Sequence, residues 1–511
     1  MLTAAALSAL TMGLAGSDAA AQYDGPGASG TYPRTVLGAP YGTPSAAPRY
    51  FDPAATRVRA AQEPPPPTVS PTPPNPETVA NEGPPAVPRS ENVVSGGEPT
   101  TVTEAEEEAE APAAETTLLM KLLGMEESPV KIYGWIENSF TLNANGPGKN
   151  DINFGVNPNF LAQPGPHNGF RWMGNQYYLV FENPLEMNDQ VNFGFRFDNL
   201  FGNDWQFNHM QGMFNNSFTL NHFAGYDPAQ FYAEVHLPVL TKGGLDIRGG
   251  RFYTILGYEV VPAIGRPLVS VPYMFNYGQP FTHTGMLSTL HVTDQINWIN
   301  GTVNGWDRWL STHWKWNYIG GVTWTSKDTK WALAISYIFG PDSYPYFVRQ
   351  NAQIVFPGST VPPYLAGRQN IGYGGNWRAM FTTVLTRTWT DKLTQVMETD
   401  EGYENNLSGL GVGGTSRNES WYSFGNWFLY KATDKLTFIW RAEVFRDDGG
   451  ARTGFNANFY EQTVGAVWKP FGNWLWFRGE ARYDWCQGAD PYTSGTRNSQ
   501  FTLAGEVIFL F

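Results

Sequence analysis

The chain has 511 residues, an aromatic fraction of 15% with 19 Trp, 55 Gly, and a mean hydropathy of −0.34. That combination argues against an enzyme built round a buried aliphatic core and suits a closed sheet that is wet on one side and oily on the other. The formal charge of −13 is uneven: residues 1–130 hold 16 acids and 6 bases, residues 131–511 hold 30 and 27, and a nearly neutral body with an acidic arm gives no support to nucleic-acid binding.

No window approaches the roughly 18 consecutive apolar residues of a transmembrane helix, so any membrane crossing must be made by strands. Cys486 is the single cysteine, which excludes an internal disulfide and a thiolate metal cluster. It is expected to pack as a small apolar residue.

In chain order, residues 1–21 are short, apolar and Ala/Leu-rich, ending in Ala19-Ala20-Ala21, which reads as an export signal with a small-residue cleavage site. The basic start of such a signal is missing, since no Lys or Arg precedes Arg34. Residues 22–112 are Pro-rich, with Pro64, Pro65, Pro66 and Pro67 in a row and an acidic cluster of Glu104, Glu106, Glu107, Glu108 and Glu110. Such a stretch cannot bury enough apolar area to offset chain entropy and is expected to be a disordered arm. Residues 113–127 follow as one short amphipathic helix, with Leu118, Leu119, Leu122 and Leu123 at helical spacing.

At Lys131 the period changes to two. Val191, Phe193, Phe195 and Phe197 alternate with Asn192, Gly194, Arg196 and Asp198, and Leu436, Phe438, Trp440, Ala442 and Val444 alternate with residues that include Arg441 and Glu443. Charges at every second position would be ruinous in a sandwich core, but they stay hydrated in a lumen while the other face meets lipid. The expected fold is all-β: an antiparallel up-and-down transmembrane barrel over 131–511. Its expected strands, about sixteen, span 131–142, 172–183, 189–201, 229–237, 243–253, 283–292, 294–304, 315–326, 330–340, 374–387, 392–400, 418–430, 435–446, 457–468, 474–485 and 500–511. Short turns near 183–189, 238–242, 326–329, 388–391, 431–434 and 469–473 alternate with long loops, which puts both barrel ends and the arm in the periplasm. The closing strand carries Phe501, Leu503, Val507, Phe509 and Phe511 on one face, and its terminal aromatic resembles the signal read by outer-membrane assembly machinery.

The side chains expected to line the lumen are Arg196, Asp198, Glu234, Asp246, Arg248, Arg378, Arg441, Glu443, Arg478, Glu480, Arg482 and Asp484. They mix both signs, which predicts weak ion selectivity at most, and cross-strand pairing that stiffens the wall is an equally good use for them. The long loop after residue 253 carries Tyr258, Glu259, Arg266, Tyr273, Phe275 and Tyr277, the bulky and charged groups a constriction needs; an ordinary surface loop is the alternative. Gly409, Gly411 and Gly414 match G-x-G-x-x-G without a following helix and carry no dinucleotide reading. Trp306, Trp309, Trp314 and Trp316 suit interface anchoring. No catalytic grouping, metal site or cofactor is expected: Ser288 and His291 fall on opposite faces of their strand.

Lys131-Ile132-Tyr133-Gly134-Trp135-Ile136, Gly250-Arg251-Phe252-Tyr253-Thr254, Pro280-Phe281-Thr282-His283-Thr284-Gly285, Val303-Asn304-Gly305-Trp306-Asp307 and the final Phe511 together resemble the β-barrel porin family described as OmpL-like. The resemblance covers 131–511 and implies an outer-membrane channel without catalytic residues. Passive diffusion of small hydrophilic solutes is therefore the expected function, with outer-membrane lipid and the assembly machinery as partners and a homo-oligomer compatible with it. A structural anchor whose periplasmic arm tethers envelope layers is the alternative.

Overall fold

The computed structural model describes residues 117–144, 170–186, 188–210, 213, 224–310, 315–341, 377–408, 416–450, 452–453, 455–493 and 496–511. The export signal, the Pro-rich arm, the glycines at 409, 411 and 414, and Trp314 lie outside them. Helix α1 (Leu118–Leu123) is capped by Thr117, whose hydroxyl accepts the Met120 N–H and donates to the Ile132 carbonyl. Strands follow as β1 (Lys131–Asn143), β2 (Phe170–Asn183), β3 (Asn192–Gly202), β4 (Gly225–Leu237), β5 (Leu245–Tyr253), β6 (Thr282–Thr293), β7 (Ile296–Val303) and β8 (Asn317–Thr325). The second half is β9 (Trp331–Pro341), β10 (Trp377–Thr390), β11 (Leu393–Ser408), β12 (Ser416–Thr433), β13 (Leu436–Asp448), β14 (Ala457–Trp468), β15 (Leu475–Gln487) and β16 (Ser499–Leu510). One helical turn, α2 (Trp205–Asn208), follows β3.

Every strand pairs antiparallel with its sequence neighbours, and β1 pairs β16 from Trp135 opposite Leu510 to Asn143 opposite Thr502, so the sheet closes. All sixteen strands expected from the period-two pattern are present. Beyond the last ladder pair, Phe511 and Gly134 exchange both backbone hydrogen bonds, at 2.9 and 3.0 Å. Glycine is required there, because a Cβ on residue 134 would stand 2.8 Å from the Phe511 ring.

Several boundaries differ from the sequence expectation by two residues or more, and two of them have a readable physical reason. β4 begins four residues early because Pro228, which has no N–H to donate, sits where the β3–β4 register shifts between Asp198 and Leu200. The β11–β12 hairpin runs past its expected end because alternation persists in side chains too polar to read as a strand: Tyr403 and Tyr422 point outward while Glu404 and Glu419 are buried.

Three of the short turns share one chemistry. Thr293, Thr390 and Thr433 each precede an Asp, and each hydroxyl accepts backbone N–H groups from the far side of the turn: Gln295 and Ile296 at 3.2 and 3.1 Å, Lys392 and Leu393 at 3.2 and 3.1 Å, Lys435 at 3.2 Å. The side chain supplies the acceptor that the tight turn lacks.

Along β13 the outward residues Phe438, Trp440, Ala442 and Val444 are exposed or half-exposed, while Ile439, Arg441, Glu443, Phe445 and Asp447 are buried. The polar face therefore points in. Gly402 of β11 admits the Trp421 ring, since a Cβ there would meet its Cε2 at 1.9 Å. Gly402→Ala is expected to cost about 1–3 kcal/mol by overpacking, seen as a lowered unfolding midpoint in detergent micelles; an unchanged midpoint would mean that Trp421 moves aside freely.

Candidate functional site: the barrel interior and its inward loop

The segment between β5 and β6 does not lie over the rim. It enters the barrel and returns, closed at its base by the Thr254 N–H donating to the Phe281 carbonyl at 3.0 Å. A 3-10 turn (Ala263–Gly265) and a π turn (Met274–Gly278) are its only regular structure. An irregular segment in an interior must have its peptide groups satisfied, and here the wall does this.

The carboxylate of Glu480 accepts the N–H groups of Val269 and Ser270 at 2.9 and 3.0 Å. Glu443 accepts those of Tyr273 and Met274 at 2.6 and 2.5 Å. The guanidinium groups take the carbonyls: Arg478 that of Arg266 at 2.5 Å, Arg441 that of Ser270 at 2.7 Å, and Arg482 that of Val271 at 2.6 Å. Glu398 accepts the Tyr258 N–H at 3.2 Å, and Gln176 of β2 both donates to the Val261 carbonyl and accepts from Ala263. A hydrogen bond to a charged partner contributes about 1.5–3 kcal/mol, so the anchors together hold the loop firmly.

The expected lumen residues thus fall into two groups. Arg441, Glu443, Arg478, Glu480 and Arg482 reach loop backbone, and Asp484 accepts the Tyr273 hydroxyl at 3.0 Å. The others pair across the wall: Arg196 with Glu182 and Asp198 at 3.0 and 2.7 Å, Arg248 with Glu234 at 2.9 Å, and Arg378 with Glu404 at 2.9 Å. Asp246 lies between His236 and His291, at 2.6 and 2.9 Å.

On the loop, Glu259 accepts from Trp427 Nε1 and Arg441 at 3.0 and 3.2 Å; burial pushes its carboxyl above the usual range, with Arg441 pulling the other way. Arg266 stands 3.9 Å from Glu137 and 3.8 Å from Asp204. Tyr258 meets the Trp427 ring edge-on at 5.2 Å, and Tyr277 stacks on Tyr273 at 6.0 Å while its carbonyl accepts from Arg452 at 2.5 Å. Phe275 packs on Phe281 at 4.9 Å.

Opposite the charged wall much of the interior is apolar. Leu287, Ile299, Val303, Ile319, Ile338 and Met380, from β6 to β10, are buried in one cluster with loop residues Leu256, Tyr273 and Met274. These inward side chains sit on strands whose sequence alternates weakly, and nothing in their pattern separates a core-packing face from a lipid-facing one. Sequence reasoning also missed Glu461 and Glu398. Glu461 is legible in hindsight, since Phe459, Glu461 and Thr463 share a face; Glu398 lies in a run polar on both faces.

Asp307 guards the loop's exit by accepting the N–H groups of Phe281 and Thr282 at 2.8 and 2.9 Å. Burial pushes its carboxyl up from 3.8 to about 6 despite those bonds. The folded state then holds a proton that the unfolded state has released, so stability falls as pH rises from about 4 to about 6 and is level above that. Asp307→Asn is expected to remove this slope, checked by melting temperatures at acid and neutral pH; parallel pH profiles for both proteins would refute it.

Among curated proteins none matches the chain. Among solved structures it is similar to the outer-membrane channel DcaP of Acinetobacter baumannii, with 10% identity, TM-score 0.47, and coverage of 75% of this chain and 97% of that one. It is similar also to an anion-selective porin from Comamonas acidovorans (9%, TM-score 0.47, 75% and 99%) and to OprB of Pseudomonas putida (10%, TM-score 0.46, 79% and 100%). The model of the family described as "Putative beta-barrel porin-2, OmpL-like" matches residues 129–511, three quarters of the chain and the whole of the barrel. The chain belongs to this family of outer-membrane β-barrel porins.

Proposed function

We propose that the chain is a passive diffusion porin for small hydrophilic solutes, with the inward loop as the constriction that limits solute size. The observation that carries this reading is a run of buried charged atoms with no hydrogen-bond partner in the protein: Glu137 Oε2, Glu506 Oε1, Arg478 Nη2, and Nε and Nη2 of Arg266. Buried charges so placed need water, and they line one continuous strip between the loop and strands β15, β16 and β1. Glu182, Glu234, Asp246 and Arg248 keep part of their side chains exposed, which extends the hydrated route toward the end that bears the short turns.

The strip mixes both signs, so weak ion selectivity is expected, with Arg266 as the cation that offsets Glu137, Asp204 and Glu506. Purified protein in planar bilayers should conduct, and liposomes bearing it should swell in a monosaccharide more slowly than in glycerol. Arg266→Ala should move the reversal potential in a KCl gradient toward cation selectivity. Absence of any conductance or swelling would sink the diffusion reading, and an unmoved reversal potential would take the route away from Arg266.

A further inference from the structure

The loop anchors have a property that a constriction does not require. Over residues 266–274 the wall satisfies seven backbone groups with five charged side chains, two carboxylates for four N–H groups and three guanidinium groups for three carbonyls. The polar side chains that the wall also reads there are Arg266, 3.9 Å from Glu137 and 3.8 Å from Asp204, and the hydroxyls of Ser270, at 3.1 Å from Arg441 Nη2, and Tyr273. The bound segment contains Pro267 and Pro272, which hold φ fixed, Tyr273 is helical at φ −61° and ψ −39°, and Leu268 fits over Gly465 of β14, where a Cβ would stand 2.5 Å from the leucine methyl.

The three guanidinium groups are also held independently of the loop. Glu461, on the strand between β13 and β15, accepts from Arg441 Nε at 2.5 Å and lies 3.5 Å from Arg482 Nε. Arg482 Nε also donates to Asp484 at 2.8 Å, and Arg478 Nε donates to Glu506. Each guanidinium is thus fixed through Nε while Nη1 points to the loop. Donors so fixed, beside carboxylates that each take the N–H groups of two successive residues, recognise the main chain of a turning peptide more than its side chains.

We propose that Arg441, Glu443, Arg478, Glu480 and Arg482 form a main-chain binding site now filled by the protein's own loop, and that short peptides able to turn as the loop does are the solute class that takes the loop's place. The inference rests on the porin reading and narrows its solute. A sugar hydroxyl can also donate to a carboxylate or accept from a guanidinium group, but it does not present two adjacent donors to one carboxylate beside a carbonyl for each guanidinium. A peptide presents the N–H pairs and carbonyls that these five side chains already bind. The tethered loop competes at high effective concentration, so peptide entry is expected to be weak and saturable.

The test uses the full chain in planar bilayers and in detergent with three synthetic nonapeptides: the sequence of residues 266–274, a scramble of it that keeps both prolines in place, and the first peptide N-methylated at the four amides that correspond to Val269, Ser270, Tyr273 and Met274. The first should block current and bind, by fluorescence anisotropy, and the scramble should bind less tightly than the first, for want of the Arg266, Ser270 and Tyr273 contacts, but more tightly than the N-methylated peptide. The N-methylated peptide should be at least ~10-fold weaker, as expected when N–H donors to charged acceptors are removed. A protein with residues 256–279 replaced by a short glycine linker should bind the first peptide at least ~10-fold more tightly; if it does not fold, the N-methyl comparison on the intact protein still decides. Equal binding of the N-methylated peptide, or no peptide binding while ions and monosaccharides pass, overturns the proposal and leaves the porin reading standing. Failure of ions and sugars to pass as well would remove both.

Discussion

A peptide group in a closed barrel has to find a partner or keep water, and the interior of this molecule is organised round that demand. The wall of the barrel satisfies its own backbone by ladder bonds, which leaves its inward side chains free for other work. On β13 and β15 they spend that freedom on the backbone of the loop between β5 and β6. Charges that would be costly in a protein core are tolerated because each of them answers a definite peptide group or an opposite charge. Where the loop backbone needs nothing further, the wall turns apolar, and β6 to β10 pack Leu, Ile, Val and Met side chains against Leu256 and Met274. The interior is therefore two-sided: one side bonds to the loop and the other packs against it.

This division explains how a porin fold comes to hold a packed cluster that contains Trp421, Trp427, Phe445 and Phe459. The loop brings apolar side chains inward, and the aromatic residues on β12 to β14 close round them. Trp421 and Trp427 also donate their indole N–H groups, to the Gly278 carbonyl and to Glu259, both at 3.0 Å. Buried tryptophan is well used when its ring packs and its one donor is satisfied. Beside Arg266 the balance differs: buried charged atoms of Glu137, Arg266, Arg478 and Glu506 have no hydrogen-bond partner in the protein.

The barrel itself was legible in the sequence because a membrane strand states its orientation twice, once in each face. Phe193, Phe195 and Phe197 against Gly194, Arg196 and Asp198 leave one assignment, and a one-residue slip would put the arginine into lipid. The inward course of the loop was less legible. Tyr258, Glu259, Arg266, Tyr273 and Tyr277 mark it as unusual for an exposed connection, but their partners, Glu398, Glu443 and Asp484 among them, are more than a hundred residues away and are joined to it only by closure of the sheet. Arg441 and Glu480 were recognisable as inward-facing; that they would meet backbone and not solute could not be read from alternation, which reports a face and is silent on what stands opposite. The apolar sector was illegible for a related reason. Ile299 and Ile319 face inward on strands whose outward sides carry apolar residues too, Trp298 and Val322 among them, so the pattern loses its contrast there.

The anchors of the loop have an order in time as well as in space. Residues 254–281 precede every strand from β6 onward, whereas the carboxylates and guanidinium groups that hold them belong to β11, β13 and β15. A chain emerging from its N-terminus has the loop long before it has the wall to which the loop binds. The seam between β1 and β16, sealed by the paired Gly134 and Phe511, joins the two most distant strands of the barrel. Seating the loop from within is easiest while that seam is open, so the contacts that organise the finished interior span the same sequence distance that closure of the barrel has to bridge.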